Sequence, residues 1–223
     1  MTQTPPPPGG GDPRGWPGHN NPYAADDALA EWARTRGYAL SATPDIAWYK
    51  AWYPCAYMPP LARAGRELRA TFDEAKLAVI EAFGGDLLLQ ATGEDRNNSF
   101  FVLSPRITAR AAVRSKSGGG IVNNLSSGLD SLFRGGSSPG AVLGDPTFEA
   151  RFDVTTPSRE EGLRALPMGL RRLLLGASFR GIIETRPGGL LGTMFDRRSF
   201  DATSLDAMIT QIGQIYSAAT ASE

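Results

Sequence analysis

Apolar residues recur three or four positions apart in several parts of the chain, which is the spacing of an amphipathic helix. One such stretch predicts a helix that begins near Asp26 and ends at Gly37. The last stretch predicts a helix capped by Thr203 and Asp206, with an apolar stripe that consists of Leu205, Met208, Ile209, Ile212, Ile215 and Tyr216. Helices are therefore expected near both ends.

Two internal stretches also predict helices. Residues 71–85 place Thr71 and Glu74 at capping-box spacing, ahead of apolar residues on one helical face. A strand is the alternative for this stretch, because its apolar residues also alternate. The leucine-rich residues 158–176 keep helical phase, and Pro167 within them should kink the helix or split it in two.

Alternation of apolar and polar residues predicts strands elsewhere. The clearest strand is 147–156, and residues 178–186 and 190–195 predict a hairpin around Pro-Gly-Gly. Shorter strands are predicted at 37–43, 86–92 and 99–104, and residues 106–114 read as a weaker strand or helix. This order of elements predicts an α+β fold, in which helices pack on one face of an antiparallel sheet.

Two stretches differ in composition from the rest and suggest the domain organisation. Residues 1–22 contain seven prolines and five glycines, which predicts a disordered Pro/Gly-rich arm. Residues 115–140 contain seven glycines and seven serines, which predicts a loop or linker. We expect α+β halves at 23–114 and 141–223, which could also form one domain.

The overall composition limits the compartment and the partners. Acidic and basic residues balance at 23 each, so no net charge draws the chain to nucleic acid or to an anionic membrane. Cys55 is the single cysteine, which excludes an intramolecular disulfide and favours a reducing compartment. No apolar run approaches the roughly 20 residues that span a bilayer. We expect a soluble, cytoplasmic protein with no nucleic-acid partner and no membrane partner.

Few residues in the chain suit catalysis. The single histidine, His19, lies in the arm that we predict to be disordered. This excludes the usual histidine-dependent triads, and it excludes zinc sites that need histidine or several cysteines. Residues 115–120 resemble a phosphate-binding loop but lack its spacing. We therefore predict no catalytic residue, no metal ligand and no cofactor, and the sequence favours a non-enzymatic protein.

An alternative function remains for the charged residues. Glu149 and Asp153 share the outer face of the predicted strand, and Arg186 and Arg197 lie near the hairpin and after it. If these four side chains converge, they could bind an anion or small molecule, or serve a carboxylate-dependent hydrolase. For the two carboxylates, a solvent-exposed ion stripe is the competing interpretation.

An aromatic-rich stretch at residues 46–60 is the main candidate for a binding surface. Pro44 can begin a short helix there and Pro54 can end it, with aromatic residues stacked four positions apart. Such a stripe is typical of a buried or half-buried face, although it could also bind a ligand. The candidate binding residues are Trp48, Trp52, Tyr53, Tyr57, Arg186 and Arg197.

The stretches EWARTRGYAL, AWYKAWYP and DPTFEARFDV, together with the hairpin GIIETRPGGLLGTMF, resemble uncharacterised bacterial proteins from domain families of unknown function. This resemblance implies a soluble α+β domain and assigns no site residue. The sequence as a whole favours a protein-interaction or structural module. Its partner would be another protein or a second copy of the chain.

Overall fold

The structure, a computed structural model, describes residues 24–58, 61–72, 74–84, 96–116, 143–196 and 199–221. Its helices are α1 (Ala24–Thr35), α2 (Ala47–Ala51), α3 (Pro146–Arg151), α4 (Arg159–Ala165), α5 (Met168–Gly176) and α6 (Ala202–Thr220). Its strands are β1 (Ala39–Ser41), β2 (Arg63–Phe72), β3 (Ala75–Phe83), β4 (Arg96–Leu103), β5 (Ala111–Ser115), β6 (Phe152–Thr155), β7 (Gly181–Arg186) and β8 (Gly189–Met194). The predicted arm at 1–22, the predicted strand at 86–92 and the Gly/Ser-rich stretch after Lys116 lie outside the described residues.

The strands of the described chain form one eight-stranded sheet with the order β1-β2-β3-β4-β8-β7-β5-β6. All neighbouring strands are antiparallel. β4 lies in the N-terminal half of the chain and pairs with β8 of the C-terminal half, with Phe101 opposite Leu191. Strands of both halves therefore share one sheet, and the predicted α+β class with an antiparallel sheet is confirmed.

The larger core lies on one face of the sheet, which we call the helix face. Leu68, Val79 and Phe100 point from the central strands into this core. Leu170 of α5 and Ile212 of α6 pack against them, and α1, α3 and α4 contribute further apolar side chains. Since these helices have one apolar side each, burial against the sheet is what stabilises them.

A smaller core covers the other face of the sheet, which we call the second face. Ile80, Phe101 and Leu191 point into it from three neighbouring strands. Tyr49 and Trp52 pack on them from residues 44–58, which we call the covering segment. The central strands are thus buried on both sides, although sheets of antiparallel strands often leave one side to water.

The helix predicted at 71–85 is wrong, and the alternative strand is correct. Residues up to Phe72 end β2, and those from Ala75 form β3, its antiparallel partner. Leu77 and Val79 face the helices, whereas Ile80 faces the covering segment. Because both faces of β3 are buried, its sequence is an almost continuous apolar run, and such a run does not distinguish a strand from a helix.

The strand predicted at 147–156 is correct only in its second half. Its first half is α3, where Pro146 occupies the first turn and Asp145 accepts a hydrogen bond from the backbone N–H of Phe148. Phe148 stacks on Phe152, with their ring centroids 4.6 Å apart. Alternating apolar residues satisfied a strand pattern by coincidence, and the helix-capping chemistry decided the local structure.

Most other predicted elements are confirmed, with shifted ends. Pro167 separates α4 from α5, and Gly188 has a positive φ of 95° in the turn between β7 and β8. The predicted caps of the last helix, Thr203 and Asp206, are wrong. Asp201 caps α6 instead, by accepting a hydrogen bond from the backbone N–H of Ser204.

Gly192 of β8 tests how tightly the sheet and the helix face are packed. A Cβ at this position would lie 2.5 Å from Cζ of Phe100 and 2.7 Å from the carbonyl oxygen of Ile182. We expect Gly192→Ala to lower the free energy of unfolding by about 2 kcal/mol, since the added methyl group displaces a core ring or a sheet strand. Urea denaturation measures the change.

Gly169→Ala is the matched control for this prediction. A Cβ at Gly169 meets nothing within 4 Å, and the residue lies within α5. Alanine is the better helix former, so this change should be neutral or stabilising by up to about 1 kcal/mol. Equal effects of the two substitutions would contradict the described packing.

Candidate functional site

The covering segment is held on the sheet by stacked aromatic rings. The ring of Phe101 on β4 is parallel to that of Trp48, with centroids 5.1 Å apart and an interplanar angle of 7°. Trp52 meets the same Phe101 ring edge-on, at 5.3 Å. Tyr49 is also buried, in contact with Trp48. Tyr49 and Trp52 are therefore buried and Trp48 is half-buried, as the core or half-buried interpretation predicted, whereas Tyr53 is exposed.

A buried carboxylate fixes the C-terminal part of the covering segment. Glu184 of β7 is 2% exposed and points to the second face, between apolar neighbours. One of its oxygens accepts hydrogen bonds from the backbone N–H groups of Tyr57 and Met58, at 2.7 and 3.0 Å. The other oxygen accepts one from Ala56, at 3.0 Å. Hydrogen bonds to a charged acceptor are stronger than neutral ones, and three of them offset the burial of this charge.

Arg186 binds the covering segment two residues further along β7. Its guanidinium donates a hydrogen bond to the carbonyl oxygen of Pro54, at 2.5 Å. The same group lies 5.0 Å from the centroid of the Trp52 ring and 3.9 Å from an oxygen of Glu184. Arg186 thus combines a cation–π contact, an ion pair and a backbone hydrogen bond, which together orient the turn at Pro54.

Tyr57 links the covering segment to the edge of the sheet. Its hydroxyl forms a hydrogen bond with the hydroxyl of Thr155 on β6, at 2.7 Å. The guanidinium of Arg114 lies 4.8 Å from the centroid of the Tyr57 ring, and it pairs with Asp153 at 2.9 Å. These polar groups are engaged with each other, so the arrangement is structural.

The single cysteine is not activated. Cys55 is buried, and its thiol lies 3.5 Å from the carbonyl oxygen of Trp52. Burial, reinforced by the nearby negative charge of Glu184, raises the pKa of the thiol to about 12, although Arg186 lowers it. Since the thiolate is the nucleophilic form, Cys55 is unreactive at neutral pH.

The covering segment also has a side that faces water, which we call the outer surface. It consists of the exposed residues Asp45, Ala47, Lys50, Ala51, Tyr53 and Pro54. Tyr53 is the large side chain among them and is 39% exposed. Partial burial raises the pKa of its hydroxyl to about 12. At neutral pH the outer surface therefore presents an un-ionised phenol, small apolar groups, and the charges of Lys50 and Asp45, the second of which is paired with Arg69 at 3.5 Å.

The structure brings most of the predicted site residues together. Trp48, Trp52, Tyr53, Tyr57 and Arg186 all lie on the second face or in the segment that covers it. Arg197 lies outside the described residues. Glu184, which binds the segment most directly, was not among the predicted site residues. A single glutamate within the apolar run GIIETR was the only available signal.

The alternative group of charged residues is not assembled by any described contact. Glu149 lies in α3 and accepts a hydrogen bond from the backbone N–H of Gly144, at 3.0 Å. Asp153 lies on β6 and pairs with Arg114, whereas Arg186 binds Pro54. The assignment of Glu149 and Asp153 to one strand face is therefore wrong, because Glu149 belongs to helix α3 and only Asp153 belongs to a strand. Within the described residues, no group of three or more His, Cys, Asp and Glu side chains is arranged to hold a metal ion.

These elements define an α+β protein in which an aromatic segment covers the sheet face opposite the helices. No protein-family model and no curated protein matches the chain. Among solved structures, the chain is similar to the crystal structure of the mycobacterial trehalose monomycolate transport factor A, TtfA. The two are 10% identical, with a TM-score of 0.57 over 87% of this chain and 94% of that one. At this identity the likeness concerns the fold alone. Among the described helices, none is long and apolar enough to cross a bilayer.

The raised pKa of Cys55 predicts how stability changes in alkaline solution. The ordinary pKa is 9.0, and in the folded protein it is about 12. Between these values the unfolded chain loses the thiol proton and the folded protein keeps it, so the free energy of unfolding falls as the pH rises. The slope approaches about 1.4 kcal/mol per pH unit for one group. Urea denaturation from pH 7 to 10.5, with reductant present, measures it.

Cys55→Ala should remove the part of this decline that begins near pH 9. Burial also raises the pKa values of Tyr49 and Tyr53, so both proteins should still lose stability at higher pH. The comparison uses slopes, because alanine also changes the packing. Identical slopes for the two proteins between pH 8.5 and 10 would show that the thiol is not held in its protonated form.

Proposed function

We propose that this chain is a non-catalytic interaction module that binds a protein partner through the outer surface of the covering segment. The observation that carries the proposal is the way this segment is fixed. Glu184, Arg186 and the ring of Phe101 hold its inner side, while Tyr53 remains exposed on its outer side.

A rigid segment suits binding because little conformational entropy remains to be lost. Association costs free energy for every loop and side chain that becomes ordered at the interface. Tyr53 is flanked by Pro54 and anchored against Tyr49, whose ring centroid is 5.9 Å away. Tyrosine contributes a large contact area with few rotatable bonds, and it is enriched among the residues that dominate binding energy.

The engagement of the polar groups favours binding over catalysis. Glu184 is bound to three backbone amides, Arg186 to a carbonyl oxygen, and Cys55 is kept protonated. Each group stabilises the covering segment, and using it in a reaction would release that segment. The similar solved structure belongs to a protein named as a transport factor, which is compatible with a non-catalytic interaction module.

Site-specific photo-crosslinking in the native cells tests this proposal. A photoreactive phenylalanine derivative replaces Tyr53 in one variant and Leu163 in the control. Leu163 lies on α4 and is 36% exposed, which closely matches the 39% of Tyr53. We expect a discrete crosslinked product from position 53 and none of the same mass from position 163.

The mass of the crosslinked product shows which partner binds the outer surface. A product with twice the mass of the chain would identify a second copy as the partner, and any other discrete mass would identify a different protein by mass spectrometry. The same products from both positions, or none from position 53, would show that the outer surface is not an interface.

A further inference from the structure

An irregularity in β2 allows the carboxylate of Glu81, on the neighbouring strand β3, to lie against the backbone of β2. Ala64 pairs with Ala82 and Glu67 pairs with Ile80, so Gly65 and Arg66 together oppose the single residue Glu81. This is the pattern of a β-bulge, which redirects side chains and is frequent beside functional sites. A Cβ at Gly65 would overlap an oxygen of Glu81, so glycine is what allows the carboxylate to lie against β2.

The register of the strands places two further arginines, Arg63 and Arg96, on the face of the sheet to which Glu81 points. Arg63 of β2 and Arg96 of β4 both pair with Phe83 of β3, one on each side of it. Directly opposed residues of neighbouring strands point to the same face. Glu81 lies two residues before Phe83 and therefore also points to that face, which is the helix face.

Two of the arginines bind Glu81 directly. Arg96 donates to one oxygen at 2.6 Å, and Arg66 approaches the other through its Nε at 3.2 Å. The side chain of Glu81 is only 8% exposed, whereas those of Arg66 and Arg96 are 27% and 33% exposed. The carboxylate is thus covered by guanidinium groups that still reach solvent.

Aromatic rings hold two of the guanidinium groups in place. The guanidinium of Arg63 lies 3.8 Å from the centroid of the Phe83 ring, and that of Arg66 lies 5.0 Å from the centroid of the buried Phe200 ring. Phe200 directly precedes Asp201, the cap of α6. Its neighbour Ser199 accepts a hydrogen bond from the side-chain amide of Asn98, at 2.8 Å. The cluster is therefore fixed by the sheet and by the start of α6.

Arginines outnumber carboxylates in this cluster. Arg63, Arg66, Arg96 and Glu81 alone have a net formal charge of +2, and one arginine would suffice to neutralise the carboxylate. The Nε of Arg96 is buried and has no hydrogen-bond acceptor among the described residues, which leaves one donor of the cluster unused.

We propose that Arg63, Arg66 and Arg96 form a binding site for the phosphate group of a monoester. Arginine suits this ligand because its planar fork of N–H donors matches two phosphate oxygens at once. Glu81 positions the guanidinium groups and does not itself bind the anion. The site lies on the helix face and is separate from the outer surface that we propose for a protein partner.

NMR of the full chain, labelled with 15N, tests the site with sn-glycerol 3-phosphate as the probe. Ionic strength is held constant with sodium chloride during the titration. We expect saturable shifts of the Nε–Hε signals of Arg66 and Arg96, assigned from the variants below. Shifts that grow linearly without saturation, or none at all, would overturn the proposal.

Two variants and one control link binding to the cluster. Arg63→Gln removes an exposed charge that has no ion pair to Glu81, and Arg96→Lys keeps the charge beside Glu81 but loses the fork of donors. We expect the dissociation constant to rise about threefold and about tenfold, respectively. Arg34→Gln, which changes an exposed arginine on α1, should leave it unchanged. Urea denaturation confirms that each variant is folded, and an equal effect of all three would overturn the proposal.

A vesicle-binding experiment distinguishes a lipid headgroup from a free phosphate ester as the source of the phosphate group. Vesicles of phosphatidylcholine with 20% phosphatidic acid are compared with pure phosphatidylcholine. Binding to the acidic vesicles that Arg63→Gln weakens would identify a lipid headgroup as the source. Saturable binding of glycerol phosphate without vesicle binding would identify a free phosphate ester. Both results support the site, and binding of neither ligand would exclude it.

Discussion

The fold depends on one buried carboxylate and the backbone it binds. Glu184 lies in the middle of an apolar strand, where an unpaired charge would be strongly destabilising. Its three hydrogen bonds go to consecutive amides, at positions 56, 57 and 58, that belong to no helix or strand of their own. The carboxylate and the covering segment therefore need each other. Without the segment the carboxylate keeps only its ion pair with Arg186 and loses its three hydrogen bonds, and without the charge three backbone N–H groups lose their acceptor.

This interaction explains why the sheet is buried on both faces. The helices cover one face by the usual packing of apolar stripes, which is not specific to any one contact. The second face is covered by a segment with only one short helix, and such a segment has too few internal hydrogen bonds to persist alone. The ring of Phe101 provides its apolar contact, and Glu184 and Arg186 fix its position. Polar contacts of Glu184 and Arg186 and the aromatic contact of Phe101 thus stabilise on this face what helix packing stabilises on the other.

The sequence predicted what depends on local pattern and missed what depends on pairing between distant strands. The break between helices at Pro167 and the turn at Gly188 follow from the chemistry of those residues, and the spacing of the aromatic residues predicted the burial of Tyr49 and Trp52. The pairing of β4 with β8 has no local signal, because it joins residues about 90 positions apart. Glu184 was missed for the same reason, since its partners lie more than 120 positions earlier in the chain. The arginine cluster around Glu81 required both the strand register and the bulge at Gly65.

Native-state hydrogen exchange at the amides of Ala56, Tyr57 and Met58 tests the central role of Glu184 most directly. If the carboxylate holds the covering segment, all three amides should be protected as strongly as those of β7, and Glu184→Gln should expose the three while β4 and β8 stay protected. Exchange of these amides at the rate of an open loop in the unaltered protein would contradict the account, because the segment would then not be fixed to the sheet.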